Sequence, residues 1–263
     1  MTRDGPADGD GASGDDAGGD GAGDDNADGN GTDGGSAGGN ADSRGPTGRA
    51  AGDVAATYDR IADHFSATRE HPWPEVESFL DGRDGALGLD VGCGNGRHCE
   101  PLRDRVDRAV GVDVSGGLVR AARVRARDRG YAGGVSFVRG DAAALPLPDD
   151  GVDLGVYVAA LHHLRPRERR VASLSELARV LAPDGRAVVS AWSTAHDRFD
   201  ADADAATGFD AEIDWTLPGG ETVPRYYHVY APAEFGADLA DSALHAVDSV
   251  VSSGNCYAVV APE

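Results

Sequence analysis

The apolar positions divide the chain into an N-terminal stretch without any pattern and a remainder that begins near residue 51. Residues 1–50 contain no Leu, Ile, Val, Phe, Tyr or Trp, so they cannot bury enough apolar surface to offset their chain entropy. Beyond them Val54, Tyr58, Ile61 and Phe65 recur at helical spacing, which predicts an amphipathic helix that Asp53 can cap. We therefore expect a disordered tail over 1–50 and one folded domain over 51–263.

Short apolar runs then alternate with helical patterns. A break at 71–74 separates the first helix from a second one that carries Val76, Phe79 and Leu80. The runs that predict strands are 86–91, 109–114, 135–138, 152–158 and 187–192. Helices are predicted between them, and a turn is predicted at 183–185. Strands that alternate with helices indicate an α/β fold, in which a mainly parallel sheet carries helices on both faces.

The last third of the chain has a weaker pattern. Residues 194–224 are rich in Asp, Gly and Ala, and we interpret them as an insertion or lid that is partly mobile. The pattern then predicts a short strand at 226–230, a helix at about 232–243 and two closing strands at about 245–251 and 255–261.

The composition is strongly acidic. The formal net charge is −21, and residues 1–50 hold 16 of the 38 glycines and 11 of the 45 acidic residues. Such a charge is tolerated in molar salt, where the screening length is roughly 3 Å. The composition resembles that of a cytosolic protein from a salt-loving microbe. The acidity then reflects the solvent, so it argues only weakly against a nucleic-acid substrate.

Cysteine usage and hydropathy indicate the cellular compartment. The three cysteines, Cys93, Cys99 and Cys256, form neither a disulfide framework nor a CxxC metal motif. No apolar run has the length of a signal core or a membrane span. We expect a soluble, cytoplasmic protein with reduced cysteines and no metal site.

Small and acidic residues follow the first three predicted strands. They are Asp90, Gly92, Gly94 and Gly96 after the first strand, Asp113 after the second, and Asp141 and Ala142 after the third. In an open α/β sheet, ligands bind at these carboxyl ends. The glycines allow a ligand to approach the backbone, Asp113 can accept hydrogen bonds from two ribose hydroxyls, and Asp141 can accept one from an adenine amine. The alternatives are a plain strand-to-helix turn and, for Asp141, a loop cap.

This ordered set resembles the S-adenosyl-L-methionine site of the Rossmann-like class I methyltransferases. More specific sequences are TYDRIADHFSATR at 57–69, PWP at 72–74, HH at 162–163 and RYYHVY at 225–230. Together they resemble the tRNA carboxymethyluridine methyltransferases, which methylate a carboxymethyl group on the wobble uridine. The resemblance covers about 54–260. It implies a seven-stranded, mostly parallel sheet with a terminal antiparallel strand, and S-adenosyl-L-methionine as the cofactor.

The resemblance suggests roles for polar residues near the acceptor. A carboxylate acceptor is already ionised near pH 7, so alignment and exclusion of water matter more than a strong base. We expect His162 or His163 to orient that carboxylate, Arg69 to bind it or the carboxylate of the cofactor, and Tyr58 to cover the cofactor. The alternatives are capping and packing for the histidines, a surface ion pair for Arg69 and a core position for Tyr58.

An RNA substrate also needs cations and aromatic rings. Arg225, Tyr226 and Tyr227 can offer both to a base that is flipped out of its stack. Arginines that follow the paired histidines can meet phosphates, and a second group lies further upstream. The first group is Arg165, Arg167, Arg169 and Arg170, and the second is Arg120, Arg123, Arg125, Arg127 and Arg129. Strand packing for the tyrosines and solvated helix faces for the arginines are the alternatives.

A protein partner is implied as well. Relatives bind a small zinc-containing activator protein along a sheet edge, which corresponds here to strand 135–138 with its apolar Val135, Phe137 and Val138. An apolar edge strand that is left uncovered can pair with another chain and promote aggregation. Two other functions stay open because a fold does not determine its acceptor. They are a small-molecule methyltransferase and a non-catalytic cofactor-binding scaffold.

Overall fold

The computed structural model describes residues 49–199, 201 and 205–263, so the predicted tail lies outside the described residues up to position 48. The helices are α1 (Arg49–Thr68), α2 (Pro74–Leu80), α3 (Cys99–Arg103), α4 (Gly116–Asp128), α5 (Arg167–Val180) and α6 (Pro232–Ala240). The strands are β1 (Gly85–Val91), β2 (Val106–Asp113), β3 (Val135–Arg139), β4 (Val152–Val158), β5 (Leu181–Trp192), β6 (Phe209–Thr216), β7 (Thr222–Val229), β8 (Leu244–Ser252) and β9 (Asn255–Pro262).

Seven strands form one sheet in the order β3-β2-β1-β4-β5-β9-β8. The first five pair in parallel, and β9 is antiparallel to both β5 and β8. This arrangement confirms the α/β fold, the seven strands and the antiparallel strand near the end of the chain. The connections reverse direction between β1 and β4, so a crevice opens at the carboxyl ends of these two strands.

Both faces of the sheet are buried. Val188 packs in a cluster with α2, whereas the next residue, Val189, packs in a cluster with α5 and α6. Successive side chains of a strand point to opposite faces, so these two contacts place helices on both sides of the sheet. The predicted apolar residues of α2, which are Val76, Phe79 and Leu80, are all buried.

Two local predictions are wrong. The turn predicted at 183–185 lies inside β5, because two residues of β4, Val152 and Leu154, pair with Leu181 and Arg186. A bulge therefore absorbs the extra residues without ending the strand. Helix α1 begins at Arg49, so Asp53 lies inside the helix and cannot be its N-cap. The alanines before Asp53 are strong helix formers and extend the helix upstream.

The interpretation of 194–224 as a patternless insertion is also wrong for its second half. Strands β6 and β7 form a separate antiparallel hairpin that runs from the pair Phe209 and Val229 to the pair Thr216 and Thr222. Ile213 and Trp215 are buried, whereas the alternate residues Asp210, Glu212 and Asp214 are carboxylates exposed to solvent. Because of these exposed acids, the alternation of inward and outward side chains that is typical of a strand was not recognised in the sequence.

None of the helices in the described part of the chain combines the length and the apolar character that crossing a bilayer requires. The same residues contain no group of three His, Cys, Asp or Glu side chains arranged to hold a metal ion.

Candidate active site

A cavity opens in the crevice at the carboxyl ends of β1, β2 and β4. Helix α1 and the β6–β7 hairpin cover it from outside. The predicted site residues that line it are Tyr58, Arg69, Gly92, Gly94, Asp113, Asp141, Ala142, His162, His163, Arg225 and Tyr227. The fold therefore gathers residues from most of the domain at one place.

The glycine loop forms the floor of this cavity. Gly92 has a φ of +68°, and a Cβ added there would lie 2.3 Å from the Cβ of Ala160. Both facts require glycine at this position. Gly96 also has a positive φ, but it faces Phe137 and Ala122 and does not line the cavity.

Asp113 joins the glycine loop to α4. One carboxylate oxygen accepts a hydrogen bond from the Gly94 amide at 2.8 Å, and the other accepts one from the Ser115 amide at 2.8 Å. Burial raises the pKa of this carboxyl to about 6. A carboxylate has more acceptor positions than these two bonds use, so Asp113 can still accept the two hydroxyls of a ribose.

Asp141 is held by α5. A guanidinium nitrogen of Arg169 lies 2.8 and 2.6 Å from the two carboxylate oxygens, and the Ala143 amide donates to one of them at 3.0 Å. This ion pair fixes the carboxylate and the adjacent Ala142 at the edge of the cavity. Arg169 was predicted to meet phosphates, but the structure places it on Asp141 instead.

Asp90 lies behind the loop and not in the cavity. It is buried, and the thiol of Cys99 donates to it at 3.2 Å. Burial raises its pKa to about 7. The structure therefore contradicts a direct contact between Asp90 and the cofactor, because the glycine loop stands between them.

The paired histidines are neutral and fully engaged with the protein. His163 Nδ1 lies 2.8 Å from the backbone oxygen of Tyr226, which can only accept, so Nδ1 carries the proton. His163 Nε2 therefore accepts from the Tyr58 hydroxyl at 2.7 Å. Burial lowers the pKa of His163 to about 3 and that of His162 well below its usual value. Both ring nitrogens of His163 are engaged by the protein, so neither is directed at an acceptor in this structure, and the orienting role stays a prediction.

His162 is equally constrained. Its Nδ1 accepts a hydrogen bond from the Trp192 amide at 3.1 Å, which assigns the ring proton to Nε2. A backbone hydrogen bond with Ala159 adds to the contacts of the ring. The two histidines thus hold the turn after β4, the end of β5 and the hairpin together.

Two buried arginines lie at the hairpin end of the cavity. The guanidinium carbons of Arg69 and Arg225 are 5.2 and 4.7 Å from the ring centroid of Trp215. Arg225 is also 5.2 Å from the ring of Tyr227. Such contacts combine cation–π attraction with flat stacking. The arrangement places two cations where an anionic group of a substrate or cofactor can approach.

The remaining predicted substrate residues lie outside this cavity. Arg165 and Tyr226 line a neighbouring groove. Arg167 binds Asp238 and Asp241 at 2.7 and 2.6 Å, away from the cavity. Carboxylates also bind other arginines of the two predicted groups, which are Arg170 on α5 and Arg125 and Arg129 on α4. These ion pairs offset the positive charge of the arginines so engaged, and a contact of the two groups with RNA stays a prediction.

Sequence analysis missed three contributors to the site. Asp59 of α1 accepts hydrogen bonds from the Ser115 hydroxyl and the Gly117 amide, which fastens α1 to the start of α4. Trp192 stacks on Tyr227 with 4.5 Å between the rings, and Trp215 carries both arginines. Asp59 lies within the quoted block 57–69, and Trp192 ends a predicted strand, so the signal for both was present.

Known proteins share this architecture. A family model described as a methyltransferase domain matches residues 89–189. The DhpI complex with SAH superimposes with a TM-score of 0.60 at 19% identity, covering 81% of this chain and 96% of that chain. A complex between the Haloferax volcanii Trm112 methyltransferase activator and a putative methyltransferase gives 0.59 at 19% identity, covering 80% and 98%. At such identities these neighbours support the fold alone.

Curated relatives are closer in sequence. A putative methyltransferase of Encephalitozoon cuniculi is 33% identical over 206 residues, which is 77% of this chain and 92% of that protein. A tRNA (carboxymethyluridine(34)-5-O)-methyltransferase of Saccharomyces cerevisiae is 32% identical over 65% of this chain and 59% of its own length. The mouse enzyme of that description is 37% identical over 53% of this chain, but only 20% of its own length is covered.

The sheet, the glycine loop and the carboxylate beyond β2 define a class I methyltransferase that uses S-adenosyl-L-methionine. The cavity fits that cofactor, because a loop without side chains at Gly92 and Gly94 faces the open acceptor positions of Asp113. The chain belongs to a methyltransferase family, because the relative from Encephalitozoon cuniculi is 33% identical to it over 92% of that protein's length.

Proposed function

We propose that this chain transfers a methyl group from S-adenosyl-L-methionine to the carboxymethyl side chain of a wobble uridine in tRNA, in the cytoplasm. The observation that carries the proposal is the pair of buried arginines, Arg69 and Arg225, on the ring of Trp215. Buried cations favour an acceptor that enters as an anion, as a carboxymethyl group does. The descriptions of the yeast and mouse relatives support the same substrate.

The neutral histidines agree with this chemistry. The bound cofactor supplies an electrophilic methyl group, and an ionised carboxylate attacks it without losing a proton. A general base is therefore unnecessary, and the ring nitrogen of His163 that could act as one is occupied by Tyr58. The protein has to align the acceptor and exclude water, which the stacked rings of Trp192 and Tyr227 favour.

An activator protein belongs to the same proposal. Strand β3 is an edge of the seven-stranded sheet, and Val138 on it is 37% exposed. A small zinc-containing activator that adds a strand to β3 would cover this surface and supply cations for tRNA. The Haloferax volcanii neighbour is described as a complex between a methyltransferase and a methyltransferase activator.

A small anionic molecule is the second candidate acceptor. The exposed carboxylates Glu212 and Asp214 line the outer face of the hairpin and repel phosphates. This observation favours a substrate that enters without a nucleic-acid backbone. A scaffold without catalysis is the third candidate, and turnover of the cofactor distinguishes it from the other two.

The test is methyl transfer from labelled S-adenosyl-L-methionine to bulk tRNA in molar KCl, with and without the activator, followed by nucleoside analysis. Label in a wobble-uridine methyl ester is expected. Label at another tRNA position would keep the class of enzyme and replace the acceptor. Cofactor binding without label in RNA would favour the small anionic acceptor.

A further inference from the structure

A second depression lies on the outer side of the cavity wall. Tyr58, His163 and Arg225 line both spaces, so the two are separated by the thickness of these side chains. The outer groove has a volume of about 340 Å³ and is continued by Arg165, Tyr226 and Glu212. A ligand that fills the cavity and extends outward past this wall enters the groove.

A flat platform forms one side of the groove. The guanidinium carbon of Arg165 lies 4.7 Å from the ring centroid of Tyr226. The Tyr226 hydroxyl donates to Asp210 at 2.8 Å, and its backbone oxygen accepts from His163 Nδ1. The platform is therefore fixed to the hairpin on one side and to the cavity wall on the other.

The charges of the groove favour a base over a phosphate. Arg165 and Glu212 are both exposed there, whereas the guanidinium of Arg225 is buried, so the carboxylate offsets part of the attraction of the one exposed guanidinium for an anion. The same pair suits a nucleobase, which stacks on a guanidinium plane and has N–H groups that a carboxylate can accept.

We propose that the groove is a subsite for the base of a nucleotide adjacent to the one that is methylated, with Arg165 and Tyr226 as its stacking platform. The inference rests on the proposed function, because it requires an RNA acceptor. It adds a second base contact outside the acceptor cavity. Discrimination between a uridine in a loop and a free nucleoside follows from this contact.

The test uses anticodon stem-loops that carry the target uridine, with an abasic residue on its 5′ side or on its 3′ side. The enzyme is the full chain with its activator in molar KCl. Arg165→Ala, Arg165→Lys and Tyr226→Leu are compared with the wild type, and Arg108→Ala, at an exposed position near the start of β2, is the matched control. Cofactor affinity of each variant is measured first, as a check that the cavity is intact.

Arg165→Ala and Tyr226→Leu are expected to raise KM for the intact stem-loop about 5- to 100-fold, the range for loss of one base–aromatic stack. The loss is expected mainly in KM and not in kcat. One of the two abasic substrates should show the same rise with the wild type and no further rise with Arg165→Ala. Arg165→Lys should behave like Arg165→Ala, since an ammonium keeps the charge but cannot stack.

Three results would overturn the subsite. The first is an unchanged KM in both platform variants, and the second is full recovery by Arg165→Lys, which would indicate a phosphate contact. The third is a further rise in KM, of the same size as in the intact stem-loop, when the Arg165→Ala variant is given the abasic substrate. Failure of the wild type to methylate any stem-loop is a different outcome, and it would reject the proposed function together with the subsite.

Discussion

The hydroxyl of Tyr58 lies 2.7 Å from Nε2 of His163, and this bond joins α1 to the turn after β4 across the mouth of the cavity. The opposite nitrogen of the same ring bonds to the backbone of Tyr226 in the hairpin. Helix, turn and hairpin are therefore connected through one imidazole. The contact explains how a tyrosine on the apolar stripe of α1 can be both a core residue and a part of the site.

Replacing Tyr58 by Phe removes the donor and leaves His163 Nε2 buried without a hydrogen bond. A buried acceptor left in this state costs about 1–3 kcal/mol, so the free energy of unfolding should fall by that amount. Chemical denaturation in constant KCl measures the change. Tyr226→Phe is the control, because its hydroxyl bonds to the exposed Asp210. Equal losses of the free energy of unfolding in the two variants would show that the bond to His163 stabilises the protein no more than the bond to Asp210 does.

Arg225→Ala should lower kcat/KM for the anionic acceptor about 30- to 1000-fold, the range for removing one partner of a buried charge contact. Arg225→Lys should recover little of it, since an ammonium cannot stack between Trp215 and Tyr227. Steady-state kinetics with saturating cofactor provide the measurement. Arg108→Ala, at an exposed position of β2, controls for the general loss of one positive charge. Near-complete recovery by Lys would indicate that charge alone matters.

Cofactor affinity should depend on pH through Asp113. Burial raises the pKa of this carboxyl to about 6, so its ionised form is lost as the pH falls through that value. The Kd for S-adenosylhomocysteine should be constant above about pH 7 and rise by up to tenfold per pH unit below about pH 6. Calorimetric titration at constant KCl checks this. Asp113→Asn should bind weakly at every pH, and a sloping profile in that variant would assign the effect to another group.

Asp90 should contribute more to the stability of the protein at low pH than at high pH. A carboxylate in an ion pair has the opposite effect. Burial raises its folded-state pKa to about 7, above its ordinary value, so the folded state binds the proton more tightly than the unfolded state does. This contribution stabilises the fold at low pH and is lost as the pH rises from about 4 to 7. Asp90→Asn removes it, so the variant should gain roughly 1–4 kcal/mol relative to the wild type between pH 5 and pH 8.

The comparison uses the urea midpoints of the wild type and of Asp90→Asn. They are measured at constant KCl and at several pH values between pH 5 and pH 8. The Asn side chain keeps an oxygen that can accept from Cys99, so the packing of the site is retained. Parallel curves for the two proteins would contradict the assignment of a raised pKa to this carboxyl.

Gly92→Ala and Gly82→Ala form a matched pair. Their φ angles are +68° and +69°, so both variants incur the same backbone strain of about 1 kcal/mol. A Cβ at Gly82 meets nothing within 4 Å, whereas one at Gly92 meets Ala160 at 2.3 Å. We expect Gly82→Ala to bind the cofactor normally and Gly92→Ala to lose at least tenfold in affinity. Similar affinities would show that the loop can move away from Ala160 without cost.

The elements that could be predicted from sequence are those that carry a compact group of apolar residues, either as a run along a strand or at helical spacing. Strands β1 to β5 and helix α2 are of this kind, and the ligand-facing carboxylates follow from strand order alone. The strand predicted at 226–230 overlaps β7, but the first strand of the hairpin, β6, was missed because its buried Ile213 and Trp215 alternate with acids in a stretch rich in Asp and Gly. The composition of the hairpin resembles that of a loop, whereas the pairing of its strands is stabilised by tertiary contacts around the cavity that it covers.

The roles of individual polar residues were harder to predict for a different reason. Burial lowers the pKa of His163 and keeps the ring neutral, and its hydrogen-bond partners are Tyr58 and the backbone at Tyr226, 105 and 63 positions away along the chain. Arg169 is engaged by Asp141, which lies 28 positions before it. A sequence shows which side chains can form such pairs, but the tertiary fold determines which of them meet.

The two walls of the cavity belong to different sheets. The cofactor side is built by the large sheet, whereas Trp215, Arg225 and Tyr227 come from a two-stranded hairpin. Among the described residues, one isolated bridge, between Ser193 and Tyr230, links the two units. The hairpin is therefore held mainly by side-chain contacts, such as those of Trp215 with His64 and of Tyr227 with Trp192. Substitutions on the hairpin can thus reshape the acceptor wall while the hydrogen-bond ladder on the cofactor side is kept.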